Sequence, residues 1–279
     1  MDRRLTPANG RVAHESLRGQ VEAERYVRGH WQRVTVPVAD ILSRPHGPRD
    51  RQLLFGERVL VLDAVDGHAY LRAERDGYVG YVATGALGPD GHASHWLHAP
   101  ASHLYPAPDI KQRELAPLSL GSRLTIVAEH GKFAETDSGG FVYAPHISPL
   151  SARATDPVRV AESFLGTPYL WGGDTRQGID CSGLVQAAFL ACGIPCPADS
   201  DLQEEDFGRP LDAGEELRRG DLLFWKGHVA LVAGPDRILH ANGHDMAVAF
   251  EGLQAAIDRI AAQGEGPVTA RKRVLAAAP

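Results

Sequence analysis

Three cysteines in 279 residues are too few, and odd in number, to build a disulfide framework. They suit a reducing compartment in which a single reactive thiol survives. An uninterrupted apolar run of about eighteen residues is also missing, and the first thirty residues are polar with charges of both signs. Neither a membrane span nor a signal peptide is expected, and a cytoplasmic location is. A surplus of positive charge is absent too, since 29 Lys and Arg against 35 Asp and Glu leave a net charge of −6. That balance disfavours nucleic acid as a partner and says little about a zwitterionic peptide. What the chain does have is length and 43% hydrophobic residues, enough for two or three small domains with separate cores.

One cysteine stands out by its place. Gly166-Thr167-Pro168-Tyr169-Leu170-Trp171-Gly172-Gly173 leads to Gly178-Ile179-Asp180-Cys181-Ser182-Gly183-Leu184-Val185, so Cys181 falls where a glycine-rich loop becomes an apolar-periodic helix. A thiol there feels the positive end of the helix dipole and several unpaired N–H groups, which favour the thiolate. Downstream, Gly227-His228-Val229-Ala230-Leu231-Val232 and Ile238-Leu239-His240-Ala241-Asn242 each carry one histidine on an extended apolar run. Period-2 alternation puts His228, Ala230 and Val232 on one strand face, and Ile238, His240 and Asn242 on one face of another. Neighbouring strands can then hold the rings together. A thiolate, a base and a ring that orients the base form the logic of papain-type catalysis.

These three pieces, in this order and within about 75 residues, resemble the NlpC-type cell-wall peptidases, papain-like cysteine enzymes that cut peptidoglycan stem peptides after γ-D-glutamate. The resemblance implies an α+β papain-like catalytic domain with helices on an antiparallel sheet. It assigns Cys181 as nucleophile, His228 as base and His240 as the ring that accepts from it. A neutral histidine in that place offers no fixed negative charge to the imidazolium. Tyr169, Asp180 and Ser182 are carried over as residues lining the site. Pro197-Ala198-Asp199-Ser200-Asp201-Leu202-Gln203 resembles the loop of the cytoplasmic dipeptidyl branch, in which an aspartate and a serine grip the free amine of L-alanine. That branch usually has arginine where Ala198 stands. The bland alternative makes Asp199 the N-cap of a helix from Ser200 to Phe207.

Ahead of residue 153 the chain reads as β-rich. Strands Arg58–Leu62 and Tyr78–Val82 are set off by Asp66-Gly67 and Asp76-Gly77 turns, and the plan repeats. Leu53–Val59 corresponds to Leu118–Leu124, and Gly80-Tyr81-Val82 to Gly140-Phe141-Val142. The segments resemble the tandem bacterial SH3-like domains of this family, and a single β-sandwich over 30 to 150 is the alternative. The expected organisation is an extension at 1–29, SH3-like barrels at 30–90 and 91–152, and the peptidase domain at 153–279. In the dipeptidyl branch an aromatic of the first barrel closes the substrate site, and Asp76-Gly77-Tyr78 resembles that position.

Within the last domain, Asp156 before Pro157 predicts a helix start with Val158, Ala161 and Leu165 on one face, stopped by Gly166 and Pro168. Val185, Phe189 and Cys192 share a face of the next helix. Strands are expected at Leu222–Trp225, Val229–Val232, Arg237–Ala241 and Ala247–Phe250, a helix at Leu253–Ala262 and a closing strand within Val268–Leu275. Cys192 and Cys196 are expected to be ordinary. With His240 and His244 they supply four zinc-type ligands, but Asn242-Gly243 and the flanking prolines break the spacing that a zinc site uses. No metal or cofactor is implied. The function so read is release of L-Ala-γ-D-Glu from murein stem peptides with a free N-terminal L-Ala. An amidase or acyltransferase with the same Cys/His apparatus, or a non-catalytic binder of wall fragments, stands as the alternative.

Overall fold

The computed structural model describes residues 1–274, and the chain divides into two compact units, Met1–Ala152 and Arg153–Pro279. In the first unit a seven-stranded antiparallel sheet runs in the order Arg49–Leu54, Val38–Leu42, Val79–Ala83, His68–Ala73, Arg58–Val65, His30–Val34, Leu87–Pro89. Its tightest hairpin turns at Asp66 and Gly67, whose φ angles of 50° and 72° match the right-handed twist of the flanking strands. Residues 95–149 form a three-stranded and a five-stranded sheet around Leu97, Leu104, Leu118, Leu124, Ala134 and Val142.

The sequence correspondence between the two halves extends into three dimensions. Each ends in a one-turn helix and a short strand, Thr84–Ala86 with Leu87–Pro89 in one and Ala144–His146 with Ile147–Pro149 in the other. They meet at matched turns. A Cβ on Gly56 would lie 2.0 Å from the Arg123 carbonyl oxygen, and the Arg123 amide donates to the Phe55 carbonyl at 2.7 Å. Only glycine fits there, because its φ of 76° and the facing backbone both exclude a side chain.

The first 29 residues are integral to this unit. Val12–His14 pairs in parallel with Arg25–Val27, and Val12 packs with Leu60, Leu62, Tyr70 and Val79. The Val79 amide donates to the Arg4 carbonyl at 2.7 Å, and Asn9 Nδ2 donates to the Tyr81 hydroxyl at 2.8 Å. A polar segment with few apolar anchors gives a weak periodic signal, so its docking was not legible in sequence.

In the second unit, six antiparallel strands are β1 (Arg209–Pro210), β2 (Leu222–Trp225), β3 (His228–Gly234), β4 (Arg237–Asn242), β5 (Ala247–Gly252) and β6 (Ala270–Arg273), in the sheet order β1-β6-β2-β3-β4-β5. The helices are α1 (Pro157–Glu162), α2 (Cys181–Ala191), α3 (Ser200–Asp206) and α4 (Leu253–Ala262). Both α1 and α2 pack against β3 and β4, and α4 packs against β4 and β5. Asp156 caps α1, accepting from the amides of Val158 and Arg159. One expectation fails here: α1 stops at Glu162, so Leu165 is 38% exposed and Phe164, at 0%, takes the inward position. The closing strand is Ala270–Arg273, and Leu275 lies outside the described residues.

Candidate active site

The start of α2 is built around Asp180. As N-cap its Oδ1 accepts from the Gly183 amide at 2.7 Å and from the Ser182 hydroxyl at 3.1 Å, while Oδ2 accepts from the Gly172 amide at 2.8 Å. One buried carboxylate thus ties the glycine-rich loop to the first turn of the helix, with Cys181, 6% exposed, as its first residue. Gly183 is required by contact, since a Cβ there would lie 2.6 Å from both Asp174 Oδ1 and the Gly173 carbonyl oxygen.

The helix α3 is moored to this turn through a residue that sequence reasoning passed over. Gln203, fully buried, donates from Nε2 to the Ser182 carbonyl at 3.0 Å and to the Pro197 carbonyl at 2.9 Å. This fixes the Pro197–Ser200 loop beside the residue that follows Cys181. Asp199 holds the N-cap backbone conformation of α3, φ −97° and ψ 152°, but its side chain makes no capping bond.

Register then sets the histidines. Leu231 pairs with Leu239 across β3 and β4, so His228 and His240 are diagonal neighbours on one face, close enough for long side chains to meet. They do: His228 Nε2 lies 2.9 Å from His240 Nδ1. On β5, Ile238 pairs with Glu251 and His240 with Ala249, which continues the same diagonal to Glu251. His240 Nε2 is 3.2 Å from Glu251 Oε2, near enough to feel the carboxylate's charge though off the line of a hydrogen bond. Glu251 in turn is gripped by Arg259 of α4 through two bonds of 2.8 Å.

Burial governs the charge state of both rings. It pushes His228 down to about 3, with His240 and Arg259 adding to the effect and Glu251 opposing it. It pushes His240 down to about 4, with Glu251 pulling the other way and Arg259 opposing the cation. Both rings rest neutral at pH 7, so each needs one protonated and one bare nitrogen. Since His228 Nε2 is engaged with His240, Nδ1 is the nitrogen left to receive a proton. Glu251 is held below the usual carboxylate range by Arg259 and stays charged.

Tyr169 joins this ground: its amide donates to the Met246 carbonyl at 2.8 Å, and it lines a cavity of about 400 Å³ with Trp171, Lys226, His228, His244 and Glu265. Tyr78, in the first unit, is 2% exposed, and its amide donates to Asp76 Oδ1 at 3.0 Å. The other thiols differ in setting. Burial, with Asp156 nearby, raises Cys192 to about 11, and Cys196 is buried under Gln203. His240 turns its two nitrogens to His228 and Glu251.

A cysteine heading a helix that packs on antiparallel strands, two of which carry histidines in contact, is an arrangement of the papain-like cysteine hydrolases. Residues 166–258 match the NlpC/P60 family, and residues 41–87 match the bacterial dipeptidyl-peptidase SH3 domain. The chain is 33% identical over 216 residues to the γ-D-glutamyl-L-lysine dipeptidyl-peptidase of Bacillus subtilis, a span of 68% of this chain and 71% of that protein. It is 29% identical over 227 residues to the protein of the same name from Bacillus cereus, 69% and 67% of the two chains. The crystal structure of an NlpC/P60 family protein from Bacillus cereus superposes with a TM-score of 0.75 at 20% identity, covering 88% of this chain and all of that one, a likeness of fold. The chain belongs to the NlpC/P60 family and is a cysteine peptidase with an SH3 domain ahead of its papain-like domain.

Proposed function

We propose that this peptidase hydrolyses the bond between γ-D-glutamate and the diamino acid of murein stem peptides with a free N-terminal L-Ala, releasing L-Ala-γ-D-Glu in cytoplasmic wall recycling. The observation that carries the reading is the 2.9 Å contact between His228 and His240 on the strands that pack against the Cys181 helix. The substrate is suggested by the 33% identity to a γ-D-glutamyl-L-lysine dipeptidyl-peptidase.

In this reading His228 Nδ1 takes the Cys181 proton, and the thiolate attacks the γ-glutamyl carbonyl. The resulting oxyanion faces the backbone N–H groups at the start of α2. Return of the proton to the leaving amine frees the diamino acid and leaves a thioester, which water attacks with His228 again as base. The cavity beside His228 is the space for the departing diamino acid, with Tyr169 on its wall. Asp180 and Ser182 hold the nucleophile turn, and Asp199 with Ser200 receives the substrate ammonium. The 95–149 repeat is a second SH3-like barrel.

Mass spectrometry of the full chain incubated with L-Ala-γ-D-Glu-L-Lys, and with the diaminopimelate tripeptide, should find L-Ala-γ-D-Glu and the free diamino acid. With an added amine acceptor, water should still capture the acyl group. Release of alanine, or aminolysis as the main course, would contradict the proposal.

A further inference from the structure

The polar chain that begins at His228 does not end at His240. Glu251 continues the diagonal on β5, with Oε2 3.2 Å from His240 Nε2. Arg259 donates from Nε to Oε1 and from Nη2 to Oε2, both at 2.8 Å, and Arg259 Nη1 donates to Gln263 Oε1 at 2.9 Å. The carboxylate is thereby fixed in place by a planar fork that itself holds to α4.

An ionised carboxylate has only acceptors, so the nitrogen that faces it keeps its hydrogen. His240 then carries Nε2–H and offers a bare Nδ1. His228 Nε2, 2.9 Å away, must be the donor to that lone pair, and the lone pair on His228 falls on Nδ1. We propose that Glu251, clamped by Arg259, is a positioning residue that sets the tautomer of both rings and supplies the fixed negative charge the histidine pair lacks. The proposal rests on the reading of Cys181 and His228 as nucleophile and base.

The groups facing the two rings bear on the sign of the effect. Glu251 and Asp245 favour a proton on His240, and Arg259 opposes it. On His228, Glu251 favours the proton while His240 and Arg259 oppose it, and His244 stands near Glu251. Removing Glu251 charge should lower the ring protonation midpoints, and removing Arg259 charge should raise them.

Glu251→Gln is the informative variant. Arg259 has only donors and claims the amide oxygen, so the amide NH2 turns to His240 Nε2 and forces that nitrogen to accept. The hydrogen moves to His240 Nδ1, His228 Nε2 becomes the acceptor, and His228 Nδ1 carries the hydrogen where the thiol needs a base. A wrong tautomer behind a catalytic histidine is costly, so kcat should fall by about a hundred-fold or more while KM changes little. Glu251→Ala leaves Nε2 unbiased and should be milder, and Glu251→Asp should recover part of the rate. A merely structural carboxylate would give the opposite order, with alanine worse than glutamine.

Ring-nitrogen NMR on the full chain, with the two histidines assigned through His228→Gln and His240→Gln, reads the tautomers without any substrate. Both rings should be Nε2–H in the wild type and Nδ1–H in Glu251→Gln, with midpoints shifting down in that variant and up in Arg259→Gln. Unchanged tautomers, or a glutamine variant as active as wild type, would overturn the proposal. A wild type inert on every stem peptide would overturn the functional reading instead, and the ring spectra would still decide this one.

Discussion

Cys181→Ala should leave the fold intact and lower turnover about a thousand-fold or more, because it removes the atom on which the acyl group is carried. The substitution is small at a helix start whose cap does not depend on the thiol: Asp180 still accepts from the Gly183 and Gly172 amides. His228→Ala should be nearly as severe, since no other ring nitrogen in the relay is left for the thiol proton. His240→Ala should be milder, as a water between His228 and Glu251 would have polar partners on both sides. Steady-state kinetics with matched melting curves check the series. Cys181→Ala at more than a few per cent of wild-type rate would remove the cysteine from the mechanism.

Blocking the substrate's N-terminus should lower kcat/KM by on the order of 30-fold to 3,000-fold. In the proposed role Asp199 would hold the ammonium by charge-assisted hydrogen bonds, and losing one partner of a pair enclosed by the bound substrate would cost about 2–5 kcal/mol. About 1.4 kcal/mol corresponds to a factor of ten. Asp199→Asn should reproduce much of this loss on the free tripeptide and change little on the acetylated one, the non-additivity expected of two groups in direct contact. Equal rates on free and acetylated tripeptide would return Asp199 to a helix-terminus role. Intact wall, whose stem alanine is already amide-linked, should resist for the same reason.

The parts of the site that could be read from residues are those whose local chemistry has one outcome. A glycine-rich loop, an acidic cap and an apolar period place Cys181 at the head of a helix, and the structure begins α2 at that residue. Apolar runs between turns gave Leu222–Trp225 and Leu253–Ala262 to the residue. Alternation put His228 and His240 each on a definite strand face, but the diagonal contact needed the register, which pairing alone supplies. Glu251 was invisible for a related reason. A glutamate near the end of an edge strand reads as a solvated side chain, and only pairing of β5 with β4 brings it behind His240. Gln203 looked like one polar residue of a short acidic helix, and its burial comes from packing against α2. Leu165 lies off the expected face because α1 ends at Glu162, where the chain turns.

The most direct measurement is the intact mass of the enzyme quenched in acid during turnover of L-Ala-γ-D-Glu-L-Lys, followed by peptide mapping. The account predicts a covalent increment of one L-Ala-γ-D-glutamyl group, carried by Cys181 alone and absent from Cys181→Ala. An acyl group on Cys192, Cys196 or any other residue, or turnover undiminished in Cys181→Ala, would contradict the account.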